Sequence, residues 1–242
     1  MNLKYVEVGE CEASAEPARA QHEGKAAKRC GALRIKPTRE FIEVAGVFSL
    51  IVIALWTPRY AAIFMIAAAI WILIATLTSP RSASELGVGR IGLRKSVWIA
   101  VSGALLAAAI LGAGAIEGTL HTFPWLPRPL LHSGVYAVWA LVQQFITLSF
   151  FFIRFERLLA SGTKAVVTTA LLFSAVHIPN WVLLVATAMM GLVFAEIFRR
   201  YRNIYWLGVA HALLGIALAM ALPDALHHQM NVGVAYLSYP GQ

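Results

Sequence analysis

Charge is scarce in this sequence. Only 13% of its 242 residues are Asp, Glu, Lys or Arg, while 59% are apolar, and the mean hydropathy is +0.70. An ordinary soluble domain carries about 25% charged residues, so that class is excluded. Cysteine is scarce as well. Cys11 and Cys30 both stand in the polar N-terminal region, so no disulfide framework is indicated, and the two read as free thiols of a reducing compartment. The net charge of +8 raises nucleic acid as a partner. The basic residues, however, come in short groups between apolar runs, without a continuous face of interleaved aromatics, which argues against nucleic acid. Residues 1 to 40 lack the apolar core of a signal peptide, and residues 1 to 32 read as a disordered cytoplasmic tail. No internal repeat is found, which speaks against an inverted-repeat transporter.

What is abundant is apolar sequence in long runs. Seven are present, near 41–56, 60–77, 97–115, 131–152, 164–179, 181–198 and 204–222. Crossing a bilayer takes about 20 helical residues, with a range of about 17 to 25, so the first and fifth runs are short for the task. Basic residues between the runs follow one parity. Arg34, Lys36 and Arg39 precede the first run; Arg81, Arg90, Arg94 and Lys95 follow the second; Arg154, Arg157 and Lys164 follow the fourth; Arg199, Arg200 and Arg202 follow the sixth. The opposite connections hold only Arg59 and Arg128. The positive-inside rule then places the N-terminus in the cytoplasm and the C-terminus outside. Thr57-Pro58-Arg59 reads as a tight turn and the stretch with Gly87, Gly89 and Gly92 as a loop. Pro124, Pro127 and Pro129 around Trp125 suit an extracytoplasmic interfacial loop.

Polar side chains at membrane depth are costly, so the few present are where function is sought. They are Gln143 and Gln144 in the fourth run, His177 with Asn180 in and after the fifth, and His211 in the seventh. At about 1.5 Å per residue, Gln143 lies about 18 Å from the outer edge, and His177 and His211 about 20 Å and 14 Å from the inner edge, so all three sit near the midplane. Each has a plainer reading. The glutamines serve equally as interhelical glue of about 1 kcal/mol or less, either histidine as a satisfied packing residue, Asn180 as a helix cap, and Phe173 as core.

Within these runs, "LLFSAVHIPNW" contains Phe173 and His177 in a Phe-x-x-x-His pattern, "HALLG" contains His211 followed by Gly215, and "QQFITL" contains Gln143, Gln144 and Leu148. Their order and spacing resemble the CPBP family of intramembrane proteases, which includes the type II CAAX prenyl endopeptidases and bacteriocin-immunity proteins. That family carries Glu-Glu-x-x-x-Arg on one transmembrane helix, Phe-x-x-x-His on the next, and a later His-x-x-x-Asn. The resemblance covers about residues 131 to 220. It implies an all-α bundle of about seven transmembrane helices and a peptidase acting on a membrane-embedded or lipid-modified peptide or protein, in a bacterial cytoplasmic membrane. It also implies a site in which one glutamate activates water, the histidines and asparagine position it and stabilise the oxyanion, and the second glutamate with arginine orients the rest.

This chain departs from the pattern at the chemistry. Gln143 and Gln144 are isosteric with glutamate but cannot take a proton as a general base. Gly215 removes the amide donor of asparagine, and Leu148 removes an arginine that would otherwise be unpaired without the carboxylates. Glu156, Glu196 and Asp224 lie at other depths. Gln143, Gln144, His177 and His211 are therefore taken as the candidate catalytic set, with Phe173, Asn180 and Gly215 as binding residues. Either imidazole is available as a substitute base. Two histidines without a third ligand at this depth leave a zinc ion under-ligated, and no metal and no cofactor are expected. Three functions stay open: a peptidase-like protein, a non-catalytic peptide-binding or immunity-like relative, and an unrelated small-molecule transporter. The domain reading is a tail over 1–32, N-terminal helices and loops over 33–130, a core over 131–222 and an extracytoplasmic segment over 223–242.

Overall fold

The computed structural model describes residues 37–90, 92–121 and 129–239. The chain divides into two units, Met1–Ile35 and Lys36–Gln242, and all described residues fall in the second. The N-terminal tail with its two cysteines and most of the proline-rich loop around Trp125 lie outside the described residues. Every described element is helical, as the apolar runs require, and no strand occurs among the described residues.

The long helices are α1 (Pro37–Trp56), α2 (Ala61–Leu77), α3 (Trp98–Ile116), α4 (Pro129–Gln144), α5 (Ile153–Leu159), α6 (Gly162–Ala175), α7 (Trp181–Tyr201) and α8 (Tyr205–Ala221). A π-helical segment, Phe145–Phe152, joins α4 to α5 without a break. Two short helices, α9 (Asp224–His227) and α10 (Val234–Leu237), follow α8. Four stretches are long and apolar enough to cross a membrane: Pro58–Leu77, Trp98–Ile116, Gly134–Leu159 and Trp181–Tyr201. Gly162–Ala175 and Tyr205–Ala221 are apolar but shorter. On α2 the large side chains of Ile63, Ile66, Ile70, Leu73 and Leu77 all face outward, an apolar surface of the kind lipid covers. The protein is an integral membrane protein.

Packing follows from small residues and from shape. Helix α8 lies against both α3 and α4, α6 against α7, and α1 against α2. A Cβ built on Gly103 of α3 would sit 2.8 Å from the Ala210 methyl of α8, and one on Gly114 would sit 2.8 Å from that of Ala221. These glycines let the two backbones approach as small residues do in membrane helix pairs. The innermost layer is aromatic, with Phe150, Phe151, Phe152 and Phe198 fully buried. Phe152 meets Phe198 edge to face at 5.7 Å between centroids, an arrangement the ring quadrupoles favour.

Two boundaries differ from the sequence expectation. Helix α1 begins before residue 41 and takes in Arg39, Glu40 and Glu43, and the fourth run continues as helix past residue 152 to Leu159. Both extensions have one cause. Arg154, expected in a solvated loop, is 1% exposed; its guanidinium donates to Glu43 Oε2, with the Nη2–Oε2 separation 2.6 Å, and lies 3.6 Å over the Phe150 ring. Arg81 likewise pairs with Glu40 at 2.6 Å, both side chains buried. A carboxylate paired to arginine in this way is tolerated inside a helix bundle where a lone one is not. Burial pushes the Arg81 guanidinium down to about 10, and the neighbouring Arg154 and Arg157 charges push the same way, against the pull of Glu40 and Glu43.

Candidate functional site

The site begins where α4 changes its winding. A π-turn inserts one extra residue and redirects the side chains that follow, and such turns concentrate at functional sites. Here it starts immediately after Gln144. Gln144 is 1% exposed, and its Nε2 donates to His211 Nδ1 of α8 at 2.8 Å. Its Oε1 is buried with no hydrogen-bond partner among the described residues. His177 stands on the turn after α6, and its Nδ1 donates to the Phe173 carbonyl at 2.8 Å, with Thr187 Oγ1 at 3.3 Å.

Phe173 links the two imidazoles. Its ring is edge to face with His177, 5.2 Å between centroids, and with His211, 5.9 Å. Gln143, Phe173, His177, His211 and Gly215 all line one cavity of about 580 Å³, whose remaining wall is mostly Leu, Ile, Val and Met from several helices. No Asp, Glu, Lys or Arg lines it among the described residues. Gln144 and Leu148 are not wall residues: Gln144 supports His211, and Leu148 is packed in the core.

The hydrogen bonds assign the imidazole protons. His177 Nδ1 faces a carbonyl and must carry hydrogen, which leaves the Nε2 lone pair as the acceptor. His211 Nδ1 receives the Gln144 amide, so its hydrogen is on Nε2. One histidine offers an acceptor and the other a donor.

Asn180 does not line the cavity. Its Oδ1 caps α7 by accepting from the Leu183 amide, and its Nδ2 donates to the carbonyls of His227 at 2.8 Å and Asn231 at 3.0 Å. All of its polar atoms are thus engaged in holding α7 to the chain after α8, the capping alternative. Gly215 does line the cavity, and the space a Cβ would need there is taken by the Tyr136 hydroxyl.

Sequence reasoning missed Tyr136, and it missed Glu40 and Glu43. Tyr136 is seven residues before Gln143, two helical turns away on the same face, which is the signal that was there to find. For the two glutamates the signal was their spacing of three on α1, next to basic groups otherwise read as loop charges. Neither glutamate reaches the cavity wall, so neither replaces the missing carboxylate.

Residues 125–217 match the family model described as Type II CAAX prenyl endopeptidase Rce1-like. The matched segment contains both glutamines, Phe173, His177, His211 and Gly215, the residues on which the resemblance was drawn. It supports a membrane protein of the CAAX-protease type. No curated protein and no solved structure matches the chain.

Proposed function

We propose that this CAAX-protease-like membrane protein holds an extended, membrane-associated or lipid-modified peptide in the central cavity without hydrolysing it efficiently. One observation carries the reading: the cavity wall has no carboxylate among the described residues, and the residue at a motif glutamate position, Gln144, donates to His211. A general base must accept a proton near neutral pH, and an amide cannot. The apolar wall suits a lipid or apolar side chain, while the Gln143 amide, His177 Nε2 and His211 Nε2–H suit the alternating donors and acceptors of a peptide backbone. The seven helical runs are read as seven spans, N-terminus inside.

The test is binding and cleavage measured side by side. Purified full-length protein in detergent is photo-crosslinked to a farnesylated peptide, and the same mixture is followed by mass spectrometry. Saturable labelling that weakens in His177→Ala, with no new peptide ends, is the expected result. A second reading is favoured by His177 itself, whose fixed tautomer presents a lone pair to the cavity as a substitute base. Cleavage by the wild type that disappears in His177→Ala would establish that reading and overturn the first.

A further inference from the structure

A second polar cluster stands at the far end of α8, outside the central cavity. The chain after α3 is tied to that end: the His121 amide donates to the Met220 carbonyl at 3.0 Å, and Thr119 Oγ1 donates to the Ala221 carbonyl at 2.6 Å. These bonds bring His121 against α9. His121 Nε2, Asp224 Oδ1 and a ring nitrogen of His227 all lie within 4.8 Å of one another.

Two of those atoms have no hydrogen-bond partner among the described residues. His121 Nδ1 faces the Thr119 carbonyl at 3.0 Å and carries the hydrogen, so Nε2 is left with a lone pair. That Nε2 and Asp224 Oδ1 are shielded from solvent, on side chains 30% and 32% exposed, are without a hydrogen bond among the described residues, and lie 3.7 Å apart. Two acceptors facing each other across a gap are unfavourable unless something positive sits between them. A shared proton would draw them to about 2.7–2.9 Å. Two ligand atoms each about 2.0–2.2 Å from a tetrahedral zinc ion stand about 3.3–3.6 Å apart, close to the separation seen. A carbonyl on the other nitrogen of a ligating histidine is the usual way its tautomer is set.

We infer that His121 Nε2 and Asp224 Oδ1 bind a divalent transition-metal ion of the zinc class, with His227 Nε2 as third ligand and water completing the tetrahedron. His227 Nε2 lies 3.8 Å from the same carboxylate oxygen. It now donates to the Leu222 carbonyl at 2.8 Å, while the Met230 amide donates to its Nδ1 at 3.1 Å. Ligation moves the His227 hydrogen from Nε2 to Nδ1 and releases both of those bonds. The segment that yields is His228, Gln229 and Met230, whose φ values of 45°, 53° and 60° are a left-handed run that side chains disfavour. Met230 and Val232 are wall residues of the central cavity, so the ion would set the position of that wall. The cluster lies apart from Gln143, His177 and His211, and the inference does not depend on the proposed function.

Titrating tag-free, full-length protein in detergent with Co²⁺ tests this directly. One equivalent should produce the visible ligand-field bands of tetrahedral cobalt, and Zn²⁺ should displace it and raise the thermal midpoint. Asp224→Asn and His121→Gln, both conservative, should each weaken binding by at least about tenfold, while His177→Ala and His211→Ala leave it unchanged. Absence of the bands in wild type overturns the inference, as does binding that survives Asp224→Asn and His121→Gln or vanishes only with the central histidines. Should either conservative variant fail to fold, hydrogen exchange of wild type settles the point: Zn²⁺ must alter protection at residues 227–232, and no change there overturns it.

Discussion

The exchange of an acid for its amide at position 144 reverses a hydrogen bond as well as removing a charge. A carboxylate can only accept, so it would hold the hydrogen of His211 on Nδ1 and leave Nε2 basic; the amide here donates to Nδ1 and makes Nε2 the donor. Gln144→Glu is therefore expected to switch the His211 tautomer, read as exchanged ¹⁵N shifts of the two ring nitrogens. Gln144→Ala leaves His211 Nδ1 buried without a partner, a loss of about 1–3 kcal/mol that a denaturation midpoint in detergent would register. Gly215 is coupled to Tyr136 in the same manner. Gly215→Asn collides with the Tyr136 hydroxyl and should cost about 1–3 kcal/mol as overpacking does. Tyr136→Ala in the same chain should recover part of that cost, so the two changes are non-additive in a double-mutant cycle. Rebuilding a family-like site thus requires more than restoring the motif residues.

At the scale of elements, α1 is secured to the core by charge. Glu43 and Arg154 are 111 residues apart in sequence and share two buried contacts. Arg154→Met takes away the buried partner of Glu43 and leaves it only the half-exposed Arg39, which should cost no more than about 3–5 kcal/mol, whereas Arg154→Met with Glu43→Leu should cost less. Thermal midpoints of the three variants separate this ion pair from ordinary packing. Asn180 plays the corresponding part for the C-terminal segment. Asn180→Ala removes the α7 cap and both bonds to the 227–231 backbone, and hydrogen exchange should quicken at those residues while α3 and α8 stay protected.

Over the whole molecule, four charged contacts collect at one end of the bundle. Arg81 with Glu40, Arg154 with Glu43, Arg157 with Glu40, and Arg202 with Glu156 join the start of α1 to the ends of α2, α5 and α7. The start of α1 and the ends of α2, α5 and α7 are thereby held together. The topology predicts that, in a chain with Cys11 and Cys30 replaced, Arg90→Cys and Glu117→Cys react with a membrane-impermeant thiol reagent from opposite faces. Labelling of both from one face would remove α3 as a span.

Position along the chain was legible without coordinates, because a membrane helix must be apolar for its whole length and each run declares itself. Gln143, Gln144, His177 and His211 stood out in the same way, because polar groups at that depth are costly. Which of them touch was not legible. The Gln144 bond to His211, the Phe173 ring between two imidazoles, the engagement of Asn180 with residues about 50 positions later and the Tyr136 hydroxyl over Gly215 each depend on distant segments meeting. Hydropathy records how a residue regards its solvent. It carries no information about which neighbour will satisfy a buried atom, and that is settled only when the helices pack.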